Sequence, residues 1–194
     1  PYRVLNAADY GVPQNRFRLF LMACRKDQSP PLYPVPCAVK VTVAEAIGDL
    51  PDADRFEPLL KSDSVAAGWE TTAEYARRLR GTAHDAEDFS YRRLFDRDVL
   101  TCSLRTLHTA ESKARFLAAA AGTTEPISRF YKLAPDGQCN TLRAGTDSAR
   151  GAFTSPRPIH PALPRVITVR EAARLHSYPD WFRFHATKWH GFRQ

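Results

Sequence analysis

Cysteine is scarce in this sequence and forms no motif. The four cysteines, Cys24, Cys37, Cys102 and Cys139, are scattered and include no C-x-x-C pair. This spacing argues against a zinc ribbon and against a secreted disulfide framework, and it favours a reducing cytoplasm. The histidines add no metal-ligand pattern, because His185 and His190 are five residues apart and do not stack on one helix face. The sequence therefore predicts no metal site.

Long apolar runs are also absent. No stretch of about 18 apolar residues occurs, so no transmembrane helix and no membrane association are expected. The chain begins with Pro1, its only methionine is Met22, and residues 1–15 lack the basic start and apolar core of a signal peptide. We therefore expect a piece of a longer chain. Its 194 residues, 43% of them hydrophobic, can hold one domain or one domain plus parts of another.

Lysine is scarce as well, and arginine carries most of the positive charge. The sequence has six lysines and 22 arginines, with a net charge of +7. Arginine binds phosphates and guanine edges through two parallel hydrogen bonds, and a positive field attracts polyanions. A high-GC genome would enrich arginine equally. Composition therefore permits nucleic-acid binding without deciding it.

The stretch from Tyr10 to Cys24 predicts a turn followed by a strand. Gly11 permits the turn, and an apolar, β-prone run follows Pro13. Because strand side chains alternate, Arg16 and Arg18 should share one face at a spacing of about 7 Å. The other face would carry three core residues, Phe17, Leu19 and Leu21. Two guanidinium groups on one face suit a phosphate, a carboxylate or a base edge, and ordinary surface arginines on an edge strand are the alternative.

The next segment predicts a connector and a short helix. Four prolines in 30–36 favour an extended connector and a domain boundary. Thr42 to Glu45 has the pattern of a capping box, which would open a short helix that Gly48 closes. Residues 52–70 show no firm period, and we expect a loop there.

Two further helices are predicted in the middle of the chain. One runs from Thr71 to Arg80, with Gly81 at its end. The other runs from Ala110 to Ala121, with Thr109 as its N-cap and Gly122 as its stop. The first helix would expose three arginines to solvent, Arg77, Arg78 and Arg80.

The pattern then changes to strands. Residues 127–133 and 139–143 are predicted to pair as a hairpin across the Pro135-Asp136-Gly137 turn. The following loop, 144–151, is rich in glycine and hydroxyl groups, which would let backbone N–H groups approach a phosphate. An ordinary surface loop is the alternative. Two arginines flank it, Arg143 and Arg150.

A second capping box, Thr168 and Glu171, predicts a helix of about two turns. The sequence Tyr178-Pro179-Asp180 breaks this helix, and His176 falls on its packed side, where a structural role is expected. Three aromatic residues beyond the break are predicted to be core: Trp181, Phe182 and Phe184.

Two blocks of the sequence together resemble the DNA (cytosine-5)-methyltransferase family. Gln14, Arg16 and Arg18 match its Gln-x-Arg-x-Arg block. A later family block is matched by Arg170, Glu171, Ala173, Arg174, Tyr178, Pro179 and Asp180. Weaker matches are Thr141-Leu142, similar to a Thr-Leu pair of the target recognition domain, and Gln194, similar to the glutamine before a final Gly-Asn motif that is absent here. The two blocks stand in the family's order, and the resemblance is weak over 52–126.

The resemblance implies an α/β fold made of two unequal parts. Terminal strands of a doubly wound S-adenosylmethionine-dependent methyltransferase domain would be joined to a smaller mixed α+β target recognition domain. Residues 1–27 would end the catalytic domain, and 28–164 would form the target recognition domain. Residues 165–180 would be the helix that organises the small domain, and 181–194 would return towards the catalytic domain.

The resemblance also implies a chemistry. In that family the target cytosine is flipped out of double-stranded DNA, a cysteine attacks its C6, and C5 receives the methyl group of S-adenosylmethionine. Arg18 would hold the flipped base and stabilise charge at its O2, with Arg16 and Gln14 supporting it or contacting the DNA backbone. The residues expected at the DNA are Arg129, Thr141, Leu142, Arg143 and Arg150.

Several family motifs are missing, which leaves two functions open. The glycine-rich cofactor loop, the Pro-Cys nucleophile and the Glu-Asn-Val block do not occur before the first block, and Pro36-Cys37 lies after it in the proline-rich connector. We therefore expect the cofactor site to lie mostly outside this chain and the chain alone to be inactive. It would be either the C-terminal part of a methyltransferase, completed by an N-terminal region or subunit, or a stand-alone DNA-binding module.

A general arginine-rich RNA binder is disfavoured, because closely spaced surface aromatics are lacking. The location implied by the resemblance is the cytoplasm of a bacterium, at the nucleoid.

Overall fold

The computed structural model describes residues 2–84, 93–143 and 157–193. These form a mixed α/β fold with short elements. The strands are β1 (Tyr2–Asn6), β2 (Gln14–Asn15), β3 (Phe17–Leu21), β4 (Val65–Ala66), β5 (Val99–Leu100) and β6 (Cys139–Asn140). The helices are α1 (Val43–Ile47), α2 (Glu74–Leu79), α3 (Ala110–Ala118), α4 (Val169–Leu175) and α5 (Lys188–Arg193). Three 3-10 turns span Ala7–Tyr10, Ala53–Arg55 and Glu57–Leu60.

Strands β1 and β3 form an antiparallel hairpin, with Tyr2 opposite Leu21 and Asn6 opposite Phe17. The predicted turn and strand are confirmed, and Gly11 adopts the left-handed conformation (φ +81°) that ends the 3-10 turn. The predicted core face is wrong in this structure. Phe17, Leu19 and Leu21 are 61%, 63% and 74% exposed, because the sheet has two strands here and no layer of the described residues covers it.

The main core lies between α1, α2 and α4. Both predicted capping boxes are confirmed: Thr42 with Glu45 opens α1, and Thr168 with Glu171 opens α4. All seven residues of α4 are buried. The central core residues are Val43, Ala46, Ile47, Leu59, Tyr75, Leu100, Leu133, Ile167 and Leu175.

Residues 52–70 hold more structure than the predicted loop, namely two 3-10 turns and strand β4, which pairs with β5. These pieces are too short to give a periodic pattern. The connector through 30–36 contains no helix or strand, as expected.

Helices α2 and α3 are confirmed with shorter bounds. Helix α3 begins after the Thr109 N-cap as predicted but ends at Ala118 rather than Ala121. Helix α2 covers Glu74–Leu79. Arg77 and Arg78 are exposed as expected. Arg80 is only 5% exposed, so the prediction that it faces solvent is wrong. Its guanidinium lies 3.8 Å from the centroid of the Trp69 ring and donates to Thr71 Oγ1 and Arg97 O, while its Nε is buried without a hydrogen-bond partner among the described residues.

The predicted hairpin of 127–133 with 139–143 is wrong. The turn itself is present, with Gly137 N donating to Ala134 O. Beyond it, however, β6 pairs in parallel with β2, and residues 131 and 132 make only isolated bridges. The partner of β6 therefore comes from the other end of the chain.

Buried ion pairs surround α4. The Arg165 fork binds the Glu171 carboxylate at 2.9 and 2.7 Å, and its Nε lies 3.0 Å from Asp52. Arg170 donates to the Thr101 hydroxyl and to the Phe182 carbonyl. Arg170 belongs to the sequence block that resembles the family, and both arginines act here as parts of the core.

The aromatic residues after α4 pack on one another at its end. The rings of Tyr178, Phe182 and Phe184 contact one another in a triangle, with centroids 4.9 to 5.1 Å apart. They are half-buried, so the predicted core is confirmed only in part.

No helix within the described parts of the chain is long and apolar enough to span a membrane. All four cysteines are free thiols.

Candidate functional site

The parallel pairing of β2 with β6 brings the first sequence block next to the Thr-Leu pair. Gln14 lies opposite Cys139 and Asn15 opposite Asn140. The Thr141 hydroxyl donates to the Asn15 carbonyl at 2.7 Å, which extends the contact by one residue. Segments 125 residues apart in sequence are therefore joined immediately before Arg16.

The Gln14 side chain is fully buried. Its Nε2 donates to the carbonyl of Leu175, the last residue of α4, at 3.3 Å. Its Oε1 is buried and has no hydrogen-bond partner among the described residues. The Nε2 hydrogen bond links the start of the arginine segment to the end of α4.

Arg16 lies between β2 and β3, at a point where the backbone is held by Asn6. The Asn6 side chain accepts from Arg16 N at 2.8 Å and donates to Asn15 Oδ1 at 3.0 Å.

Burial, with a smaller contribution from the nearby Arg16 charge, lowers the pKa of His176, whose Nδ1 lies 3.0 Å from the Ala172 carbonyl. The lowered pKa favours the neutral form of His176, and its contact with the α4 backbone agrees with the predicted structural role.

Arg18 is exposed on β3. Its Nη1 donates to the neighbouring Phe17 carbonyl at 2.7 Å. The remaining donors of the guanidinium face solvent, which leaves this fork able to bind an external acceptor.

Most of the residues expected at the DNA line one cleft of about 270 Å³. They are Arg129, Thr141, Leu142 and Arg143. The other lining residues are Phe130, Tyr131, Leu133, Cys139, Asn140, Arg157 and Pro158. Arg150 lies outside the described residues. The cleft combines aromatic and aliphatic surface with three guanidinium groups, which suits an anionic partner that also has flat apolar faces.

Arg129 is presented by a constrained turn. It has a left-handed backbone (φ +60°), which is uncommon for a residue other than glycine and has an energetic cost. The buried Glu125 carboxylate fixes the turn by accepting from Ile127 N at 3.2 Å and from Ser128 N at 2.6 Å. The Arg129 side chain is exposed. The turn therefore holds an arginine towards the cleft in a defined backbone conformation.

The cleft contains no activated nucleophile. Burial raises the pKa of the Cys139 thiol to about 12, so the thiol is protonated at neutral pH and is a poor nucleophile. In the described ranges, no cluster of His, Cys, Asp or Glu is placed to hold a metal ion. The arrangement can bind an anion or a base, but it supplies no group that would start covalent chemistry.

Sequence reasoning missed Arg157 and Asn6. Arg157 stands alone between two prolines and matches no motif, so only its place in the cleft identifies it. Asn6 precedes the recognised block, and its role depends on a side chain that reaches Arg16 across the intervening turn.

Comparisons with known proteins agree with the resemblance seen in the sequence. The family model for C-5 cytosine-specific DNA methylases matches residues 1–194. Type II methyltransferase M.XorII of Xanthomonas oryzae pv. oryzae is 64% identical over 193 residues, which cover 100% of this chain and 45% of that protein. M.MthTI of Methanothermobacter thermautotrophicus is 28% identical over 185 residues, covering 95% of this chain and 47% of that protein.

A solved structure from Escherichia coli supports the same relationship. It is of a prophage-encoded protein named as a DNA modification methyltransferase, with 30% identity and a TM-score of 0.66. The match covers 98% of this chain and 53% of that one. The chain thus spans about half the length of the relatives it matches. Since the family model covers every residue, the chain belongs to the C-5 cytosine-specific DNA methylase family.

Proposed function

We propose that this chain is the DNA-reading, C-terminal portion of a DNA (cytosine-5)-methyltransferase. The observation that carries the proposal is the pairing of β2 with β6, which puts the Arg16–Arg18 segment beside the cleft of Arg129 and Arg143. One surface would then hold both a base-binding arginine and a DNA-binding cleft. The double-stranded substrate would lie along this surface, with its phosphates against the arginines.

Arg18 is assigned to the flipped cytosine. Its exposed guanidinium fork would donate to the pyrimidine O2 and stabilise the charge that develops there when C6 is attacked. Arg16 and Gln14 would position this segment, Gln14 from the interior. Arg129, Thr141, Leu142 and Arg143 would contact the DNA, and Arg150 is assigned to the same surface from its sequence position.

S-adenosylmethionine would be the methyl donor in the complete enzyme. The cleft does not suit this molecule, since three arginines and no carboxylate line it and the cofactor carries a sulfonium and an ammonium group. We therefore assign the cofactor, and the cysteine nucleophile, to sequence outside this chain.

The proposed domain bounds follow the same assignment. Residues 1–27 would close the catalytic domain, 28–164 would form the target recognition domain, 165–180 would organise it, and 181–194 would return to the catalytic domain. The exposed apolar side chains of the β1–β3 hairpin favour this arrangement over a stand-alone DNA-binding module. A large exposed apolar surface of this kind is normally covered, and the rest of the catalytic domain would cover it here.

A complementation assay tests the proposal. The chain is assayed for transfer of radiolabelled methyl groups from S-adenosylmethionine to duplex DNA, alone and with the part of the Xanthomonas enzyme that this chain does not match. We expect activity only with both parts present. The matched control is the same part with the cysteine of the Pro-Cys motif, which the family resemblance implies, replaced with alanine, and it should give no activity. Sequence-specific binding by the chain with no restored activity would instead support a stand-alone binding module.

A further inference from the structure

Two cations from separate segments converge on one hydroxyl group. Arg157 Nη1 donates to Thr106 Oγ1 at 3.0 Å, and Lys188 Nζ lies 3.4 Å from the same oxygen. Lys188 Nζ also donates to the Arg105 carbonyl at 2.9 Å. Both side chains are half-buried. They are thus held side by side at the first residue of α5.

Several other half-buried cations among the described residues have carboxylate partners, which this pair lacks. Arg105 and Lys113, for example, share the Asp54 carboxylate at 3.4 and 2.7 Å. Within the described residues, the side-chain contacts of Arg157 are Thr106 and the Phe192 ring, and its Nε is buried without an acceptor. Lys188 likewise has only neutral oxygen acceptors there.

The pKa shifts of Arg157 and Lys188 are consistent with two positive charges that no carboxylate among the described residues neutralises. Burial lowers the pKa of Arg157, and it also lowers the pKa of Lys188, which the adjacent Arg157 charge lowers further. Two like charges held together and partly removed from water are unfavourable unless an anion neutralises them. The arrangement is therefore one that an external anion would stabilise.

The position of the pair indicates which anion. Arg157 also lines the cleft that contains Arg129 and Arg143, so the pair is continuous with the arginines of that cleft. An arginine fork beside a lysine ammonium suits the oxygens of a phosphate group, and the Thr106 hydroxyl can donate as well. We infer that Arg157, Lys188 and Thr106 form a binding site for a phosphodiester group of the DNA backbone, an inference that rests on the proposed function.

The salt dependence of duplex binding tests this site. Each neutralised phosphate contributes about 0.9 to the slope of log affinity against log salt concentration. We expect the R157Q/K188Q variant to lose about 0.9 of that slope, which is a change of about 3.5-fold in relative affinity between 50 and 200 mM salt. Lys188→Arg, which keeps the charge, should retain the slope. Lys61→Gln, which removes one exposed lysine charge elsewhere, should also leave it unchanged.

A titration with inorganic phosphate separates the site from the wider function. The NMR signal of the Arg157 Nε–H group, identified by its loss in R157Q, should shift saturably in the wild-type chain. It should shift much less when Lys188 is replaced with glutamine. If the wild-type signal does not move, no anion site exists and the inference is overturned, regardless of the result of the DNA-binding experiment.

The two readouts together distinguish the remaining outcomes. A phosphate-dependent shift with an unchanged slope in the double variant would mean that the pair binds free anions and not the DNA backbone, which also overturns the inference. If the wild-type chain shows no salt-dependent duplex binding at all, the proposed function itself fails, and the phosphate titration alone then decides whether the anion site is real.

Discussion

Arg174 forms a double hydrogen-bonded ion pair with Asp180, with Nε 2.9 Å from Oδ1 and Nη2 2.7 Å from Oδ2. The arginine has no exposed surface, and its Nη1 reaches Asp49, beyond α1, at 2.6 Å. The break at Tyr178-Pro179-Asp180 therefore folds the chain back onto α4, and one guanidinium group links α4, α1 and the segment after the break. Because buried charges are costly unless fully paired, this geometry is tightly specified.

Arg174→Met should lower the free energy of unfolding by about 3 to 5 kcal/mol, because it removes the arginine that is hydrogen-bonded to both Asp180 and Asp49 and leaves these carboxylates incompletely paired. Urea unfolding measures the change. The matched control is Arg77→Met, which removes an exposed arginine 3.5 Å from Glu74 and should cost less than about 1 kcal/mol. Equal losses in the two variants would show that the buried pair does not stabilise the fold.

Glu171 should make the stability depend on acid pH. Burial alone would raise its pKa, but the charge and hydrogen bonds of Arg165 outweigh burial and lower the pKa to about 2, from a reference of 4.5. The unfolded chain therefore takes up the proton first as the pH falls. The contribution of Glu171 is complete above about pH 4.5 and is lost towards pH 2, with a full size of about 3 kcal/mol.

The measurement is the free energy of unfolding between pH 6 and pH 2. Glu171→Gln cannot lose a charge in this range, so its stability should fall less steeply than that of the wild type. Glu57→Gln, at an exposed position, should follow the wild-type curve. If Glu171→Gln and the wild type ran parallel, the ion pair with Arg165 would not be the source of the pH dependence.

Lys132 holds the end of α3. Its Nζ donates to the carbonyls of Phe116, Leu117 and Ala119 at 3.0, 3.2 and 2.9 Å. Lys132→Met keeps the apolar stem but leaves these carbonyls unsatisfied, and we expect a loss of about 2 kcal/mol. Backbone hydrogen exchange in α3 should accelerate along with the loss. Lys61→Met, at an exposed lysine, should change neither quantity, and unchanged exchange in Lys132→Met would contradict the capping role.

Sequence patterns whose residues lie within one helical turn of each other predicted the local structure correctly. The two capping boxes depend on residues three apart, and both were located correctly from the sequence. The pairing of Gln14 with Cys139 depends on residues far apart, and the sequence favoured a local hairpin instead. A strand pattern identifies a segment that can pair, but tertiary packing selects its partner.

The arginine content was equally ambiguous. Composition permitted nucleic-acid binding without deciding it, and Arg80, Arg165, Arg170 and Arg174 are in fact buried in the interior. Their roles depend on carboxylates, carbonyls and rings from distant segments, which no local pattern reveals. Conversely, Arg157 matches no motif and lies in the cleft. The number of arginines is known from the sequence, but the sequence does not show which of them lie in the core and which lie on the surface.

Arg18 provides the sharpest test of the proposed chemistry. In the complemented enzyme, Arg18→Ala should reduce turnover far more than duplex affinity, because the guanidinium fork is proposed to hold the flipped base and to stabilise charge that develops only in the transition state. Single-turnover methyl transfer measures the rate, and a duplex titration measures the affinity. Arg25→Ala, at an exposed arginine paired with Asp27, is the matched control and should change neither. If Arg18→Ala weakened duplex binding while turnover held, Arg18 would be a backbone contact and the base-holding role would be wrong.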